Sequence, residues 1–341
     1  MTMQTMTKIE RVQAALKGRE VDKVPMSFWR HFYSQERDAG LLSEALLAFQ
    51  REYQWDFVKV NPRGSYHVED WGNRYSYSDD PHVAPTLLSH VVHSRGDWAR
   101  IQPLDIWRSE ALKQQLVVLE LVKEGLQEEN VYFLQTIFSP LAIAFKLAGS
   151  SKERLQEAMR SEAKELQGAL EAITESYANY ATASLDVGAS GIFFATTKMA
   201  SSDMMTWEQY AQFGTPYDLR VLAAVQSRPG FNLLHMCGGH IFFDQLMGYP
   251  VDAISWDVTL PGNLSLREGR ERSGKMVVGG LDSMVTFKAG RTEDIDREVT
   301  RALRETGGRG CAIAPGCTFP TTVKSELLEA ALAARERFSS S

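Results

Sequence analysis

The chain has 341 residues, 44% of them hydrophobic and 23% charged, with a formal net charge of −6. This is the composition of an ordinary soluble globular protein, and its mild acidity, without clustered Lys or Arg, argues against a nucleic-acid partner. Three cysteines are too few, and odd in number, for a disulfide framework; they point to a reducing cytoplasm and to thiols free to bind metal.

The opening "MTMQTMTKIERVQ" has no apolar core of the kind a secretory signal needs. A first strand is expected at 24–29 (VPMSFW), a helix at 41–53 and a second strand at 55–60 (WDFVKV). From 61 to about 118 runs a long, irregular connection, a kind of segment that usually serves as a lid or binding loop. It carries the aromatics Tyr66, Trp71 and Tyr75, close in sequence to Trp55. A third strand follows at 131–138; the apolar stretch around it is broken by Gln135, Ser139, Pro140 and Lys146, so no membrane span is expected. Helical spacing then covers 153–181, 208–226, 293–306 and 324–338. Short apolar runs at 190–196, 231–237, 252–257, 275–280 and 311–316 complete the set of strands. Each is bounded by Gly, Pro or Asp, as buried parallel strands are. Strands alternating with helices predict a parallel sheet, and eight such units fit a single α/β domain over 1–341, a (β/α)8 TIM barrel with a long insertion after strand two. A doubly wound sheet is the weaker alternative, since neither GxGxxG nor a P-loop is present.

Barrels of this kind build their active sites at the C-terminal ends of the strands. Those ends carry Arg30 and His31, Asn61, Ser139, Thr197 and Lys198, His235 and Cys237, Asp257, Asp282, and Cys317. In "LLHMCGGH" (233–240), His235 and Cys237 are two apart and so share one face of a strand, with Leu234 and Met236 on the other. Cys317 lies in "APGCTFP", where Pro315, Gly316 and Pro320 turn the chain, and it can approach the same mouth from the eighth strand. Two thiolates and an imidazole suit Zn²⁺, and three protein ligands leave a fourth position open. Thiolate ligands make the metal a poor activator of water but keep a substrate thiol deprotonated and nucleophilic, so the chemistry that follows is alkyl transfer to a thiol. The competing reading makes both cysteines small buried apolar groups and His235 a hydrogen-bonded core histidine. Asp257 and Asp282 are each a fourth ligand, a partner for His235, or a plain helix cap. His240 opens the next helix facing solvent, and Cys311 is a core thiol.

Several of these stretches resemble a known family: "RVQAALKGREVDKVPMSFWRHF" (11–32), "DVGASGIFF" (186–194), "LLHMCGG" and "IAPGCTFP". Over nearly its full length the chain resembles the uroporphyrinogen decarboxylase superfamily, and it is most similar to the zinc-dependent, corrinoid-linked thiol methyltransferase branch, which is methylcobamide:coenzyme M methyltransferase-like. The resemblance implies zinc on His235, Cys237 and Cys317, and a methyl group passing from a methylated corrinoid such as methylcobalamin to a small thiol acceptor. No D-x-H-x-x-G corrinoid signature occurs, so the corrinoid is expected on a separate protein or free. Arg30, Arg63 and Lys198 are candidates for an anionic tail on thiol or corrinoid, although surface solvation suits Arg63 better. Decarboxylases of the superfamily place two arginines four apart after strand one and an aspartate after strand two. Here Arg30 is followed by Ser34, and the aspartate position carries Asn61, which joins the substrate-binding candidates. A divergent uroporphyrinogen decarboxylase and a non-catalytic corrinoid- or porphyrinoid-binding barrel stay open as alternatives. Metal content separates the first from the methyltransferase, and turnover of methylcobalamin with thiols separates the second.

Overall fold

The computed structural model of the chain describes residues 5–226, 228 and 230–339. Its strands are β1 (Phe57–Val60), β2 (Arg74–Ser76), β3 (Thr86–Ser89), β4 (Tyr132–Phe138), β5 (Gly191–Thr197), β6 (Leu233–Met236), β7 (Ala253–Trp256), β8 (Met276–Leu281) and β9 (Cys311–Pro315). Seven of them form one curled parallel sheet in the order β1-β4-β5-β6-β7-β8-β9, a TIM-barrel-like arrangement with helices in the crossovers. The antiparallel hairpin β2–β3 lies apart, inside the long connection between β1 and β4.

Alternate strand residues point to opposite faces, and here both faces are buried. Phe57, Leu134, Phe193, Leu233 and Val278 pack with Trp29 in the interior of the curl. Their neighbours Val58, Ile192, Leu234, Ile254 and Val277 pack outward with the helices. That is why the strands read as continuous apolar runs rather than alternating ones.

The expected first strand at 24–29 is not a strand. It contributes one bridge, Met26 to Ile313 on β9, with Ser27 N–H donating to Ile313 O at 3.1 Å and Ile313 N–H to Pro25 O at 2.8 Å. Toward β1, Asp56 N–H donates to Met26 O at 2.9 Å, so the segment spans the gap between the two edge strands. Two causes stop a ladder from forming. Pro25 has no N–H to give, and side chains take the places of backbone partners: Met26 N–H goes to the Asp56 carboxylate at 2.8 Å, and Ser27 Oγ donates to Phe57 O at 2.6 Å. The seam is held instead by buried charge. Asp56 accepts from Arg11 at 2.5 Å and from Arg335 of the last helix (Ser325–Ser339) at 3.0 Å, while Arg11 also pairs with Asp22 at 2.7 Å.

Two expected helices are each broken once. The span 153–181 divides into Lys152–Ser161 and Ala163–Asp186 at Glu162, whose carboxylate accepts from Arg154 and from Trp98 Nε1. The span 208–226 divides at Gly214 into Trp207–Phe213 and Thr215–Ala223, because Pro216 in the second helix's first turn cannot continue the first helix's hydrogen bonds. No helix among the described residues is long and apolar enough to cross a membrane.

Candidate metal and substrate site

His235 belongs to β6 and faces inward, paired in register with Ser255 on β7 and Ala195 on β5. Just beyond, β5 carries a bulge between Ala195 and Thr197, and Thr197 adopts φ +52. A β-branched residue in the left-handed region is strained, and such strain gathers at functional sites. The Thr197 carbonyl accepts from Cys237 N–H at 3.0 Å, and Gly238, at φ +99, turns the chain directly afterwards. Across the mouth, Gly316 lies so close to Asp257 that a Cβ there would come within 2.3 Å of the carboxylate carbon; only glycine lets the chain bring Cys317 in from β9.

These devices place His235, Cys237 and Cys317 with their ligand atoms all within 4.8 Å of one another. The two sulfurs are 3.6 Å apart. A disulfide would need about 2.05 Å, whereas zinc–sulfur bonds of about 2.3 Å at a tetrahedral angle separate two sulfurs by about 3.8 Å. The hydrogen bond donated by Cys237 holds the Cys317 thiol well below its ordinary range against the opposing effect of burial, and His235 adds to the lowering. The same hydrogen bond, together with burial, pushes the Cys237 thiol up. One proton leaves this pair readily and the second does not, so a dication is what would let both sulfurs be thiolates. His235 Nδ1 faces Ser255 Oγ at 3.2 Å, which turns Nε2 toward the sulfurs. The donor set therefore fits zinc with one coordination position unfilled by protein.

Of the other expected ligands, Asp257 and Asp282 lie outside the cluster. Asp257 accepts from Thr259 N–H and Oγ1 and from Ser283 Oγ, and Asp282 accepts from the N–H groups of Met284, Val285 and Thr286. Both behave as turn and helix caps, and Ser255 takes the role of partner to His235.

The cluster forms one end of a cavity of about 340 Å³ walled by Trp29, Phe138 and Phe193. The long connection supplies its roof, with Tyr75, Ala84 and Pro85 over the cavity and His82 reaching Thr321 Oγ1 at 3.1 Å. Of the four aromatics in and around that connection, only Tyr75 lines the cavity. Trp55 stacks between Phe28 and Tyr53 in the core, Tyr66 donates to Thr136 O, and Trp71 stacks on Tyr177.

Asn61 does line the cavity, where it receives a hydrogen bond from Lys59 and places its Nδ2 3.1 Å from His31 Nδ1. Arg30 does not. Because Trp29 points into the interior, Arg30 points outward, with its guanidinium 5.2 and 5.4 Å from the rings of Phe32 and Phe49. Lys198 is exposed beside Gly238, outside the cavity wall. Arg63, expected in solvent, is buried and clamps Glu69 at 2.6 Å within the connection. His240 is exposed and paired with Asp203; Cys311 is buried, and burial pushes its thiol up to about 11.

Lys59 is the residue that strand-end reasoning passes over. It is 6% exposed, on the inward face of β1 two residues after Phe57, with its ammonium 4.7 Å from the Phe193 ring centroid. Burial pushes it down to about 7, partly offset by Cys317 and Glu36. Its signal in the sequence is a lone cation inside the largely apolar run "WDFVKV".

A family model described as uroporphyrinogen decarboxylase (URO-D) matches residues 7–338. Among solved structures, a methyltransferase from Methanosarcina mazei is similar with a TM-score of 0.78 and 21% identity, covering 98% of this chain and 99% of that one. A B12-independent methionine synthase from Shewanella sp. W3-18-1, in complex with selenomethionine, is similar with a TM-score of 0.55 and 12% identity, covering 92% and 96%. Both are likenesses of fold. No curated protein matches the sequence.

Proposed function

Since the chain belongs to the uroporphyrinogen decarboxylase family, we propose that it uses that family's fold as a zinc-dependent methyltransferase, moving a methyl group from a methylated corrinoid to a small thiol. The observation that carries this reading is the cluster of His235, Cys237 and Cys317, with sulfurs 3.6 Å apart at the inner end of a cavity. These three residues would hold zinc, and the metal would supply the positive charge that keeps an acceptor thiol deprotonated at neutral pH. The name of the Methanosarcina mazei neighbour, a methyltransferase, supports the same reading.

The chain's own residues do the remaining work. Ser255 fixes the ring of His235, and Trp29, Phe138 and Phe193 keep water from the thiol end. At about 340 Å³ the cavity has room for a small thiol. In this reading the donor arrives at the mouth, as free methylcobalamin or on a separate corrinoid protein. Asn61, tied to Lys59 and facing His31, offers no carboxylate to a porphyrinogen.

Purified protein is expected to carry about one zinc per chain, and Cys317→Ala is expected to lose the metal and methyl transfer while keeping its circular dichroism spectrum. A paired assay on one preparation tests the function: demethylation of methylcobalamin with several thiols, and carboxyl loss from uroporphyrinogen. Carboxyl loss without demethylation would assign the chain to decarboxylation instead.

A further inference from the structure

The cavity wall carries an acid–base pair that the sulfur cluster does not use. His31 lines the cavity, and its Nδ1 lies 2.5 Å from Glu36 Oε1. Glu36 is 1% exposed; Oε1 also accepts from Phe32 N–H at 3.1 Å, and Oε2 has no partner. The loop does not need this acid to close, because the N–H groups of Gln35 and Glu36 already donate to Phe32 O at 2.8 and 3.0 Å. A buried carboxylate is costly unless a proton or a cation meets it, and His31 is the side chain that meets this one. An ionised carboxylate only accepts, so Nδ1 carries the hydrogen and Nε2 keeps its lone pair. Nε2 has no hydrogen-bond partner among the described residues. A Cβ at Gly64 would already touch His31 Cε1 at 3.7 Å, so glycine keeps that edge of the ring clear. The other groups around the pair are few. Tyr33 stacks on the ring at 4.9 Å, Asn61 Nδ2 stands 3.1 Å from Nδ1 with Lys59 on its oxygen, and Arg63 donates to the Glu36 carbonyl at 3.2 Å. A carboxylate behind one ring nitrogen and an open cavity before the other is the arrangement of a general base.

We propose that His31 is a catalytic base of this cavity, taking at Nε2 the proton that an acceptor thiol gives up, with Glu36 as its positioning residue. The proposal rests on the methyltransferase reading. A thiol that enters protonated must lose one proton per turnover inside walls that are largely apolar. The S–H bond breaks, an N–H bond forms at Nε2, and the electron pair stays on sulfur. When that sulfur takes the methyl group, the cobalt–carbon pair stays with cobalt. Glu36 offsets the charge of the imidazolium in the interval. The His31 side chain is 22% exposed, so its proton passes on to solvent before the next turnover. The competing base is Lys59, which burial pushes down to about 7 beside Cys317. It forms no ion pair among the described residues, and at 6% exposed it is sealed from the water that must finally take the proton.

The test uses the zinc-loaded chain with 2-mercaptoethanol and with 2-hydroxyethaneselenol, which differ in one atom. The selenol is acidic enough to arrive ionised and needs no base. Calorimetry in buffers of different ionisation enthalpy counts the protons released to solvent as the thiol binds, and stopped-flow demethylation of methylcobalamin gives the transfer rate. The wild type is expected to keep the thiol's proton, and His31→Gln to release it to the buffer. His31→Gln is also expected to slow transfer to the thiol on the order of 100- to 10,000-fold, to recover most of that loss with the selenol, and to retain wild-type zinc content and circular dichroism. Glu36→Gln is expected to show a smaller loss with the same recovery. Full release of the proton by the wild type overturns the proposal. So does retention that persists in His31→Gln and disappears in Lys59→Met. Equal losses with thiol and selenol in His31→Gln would give the ring a structural role and overturn it as well. Retention abolished by His31→Gln, with no demethylation by the wild type, upholds His31 as the proton acceptor and removes the methyltransferase reading.

Discussion

The hydroxyl of Ser255 stands 3.2 Å from His235 Nδ1 and can either donate or accept. His235 also hydrogen-bonds Cys317, and its Nδ1 faces the serine. Zinc held through His235 would leave the other ring nitrogen to be satisfied, and the serine hydroxyl, able to donate or accept, would serve either tautomer. Ser255→Ala is expected to weaken zinc binding by about 10- to 100-fold with little change in thermal stability, measured by competition with a chromophoric chelator; unchanged affinity would remove Ser255 from the site. His235, Cys237 and Cys317 are legible in sequence because rare side chains with metal-ligand chemistry stand at strand ends. Lys59 and Ser255 are not, because each sits one turn of the pleat below an end, inside a run that reads as core. Only their parity with Phe57 and Ala253 reveals that they face inward. Arg30 shows the same rule working the other way: one residue past the inward-facing Trp29, it points out of the cavity, whatever its position in a motif.

At the scale of elements, the weakest join is the one between β9 and β1, where a backbone ladder gives way to Arg11, Asp56 and Arg335. These side chains are at most 6% exposed, so the loss of the shared acid strands two buried cations. Asp56→Ala is expected to cost about 3–5 kcal/mol of stability, read by urea unfolding, and to speed hydrogen exchange in 24–29 and 325–339 before the middle of the sheet. The other seven strands are legible as apolar runs between helices. The segment 24–29 reads equally well as a strand, because its failure depends on Asp56 and Ser27 replacing backbone partners, a tertiary event that no local pattern encodes. The breaks at Glu162 and Gly214 differ in the same way: Pro216 marks the second, while the first depends on Arg154 and Trp98 meeting Glu162.

For the whole molecule, Asp218 sets a pH dependence. It is fully buried in the helix Thr215–Ala223, accepts from Tyr210 at 2.6 Å and Tyr249 at 3.0 Å, and leaves Oδ1 without a partner. Burial pushes its carboxyl up to about 7, against the hydrogen bonds from the two tyrosines. Its folded value lies above the unfolded one, so the native state binds the extra proton. The stability it contributes is full below about 4 and is lost as pH rises toward about 7. Asp218→Asn mimics the protonated form and is expected to be more stable than the wild type at pH 8, by up to about 4 kcal/mol, with the difference shrinking toward pH 4. Thermal midpoints of both proteins across that range check it, and parallel curves would show that Asp218 does not titrate on unfolding.

The charged seam also imposes an order on synthesis. Asp56 and Arg335 are 279 residues apart in the chain, and at about 5–20 residues per second a ribosome takes many seconds to pass from one to the other. During that interval the nascent protein has its central strands but only Arg11 for the Asp56 carboxylate, and β1 presents an incompletely covered edge of the kind that recruits other chains. The seam is completed from both sides at once, by a helix made long after the strand it braces. Newly made copies should therefore depend on chaperones until that helix arrives, and fragments stopping short of it should aggregate even though every cavity residue is already present.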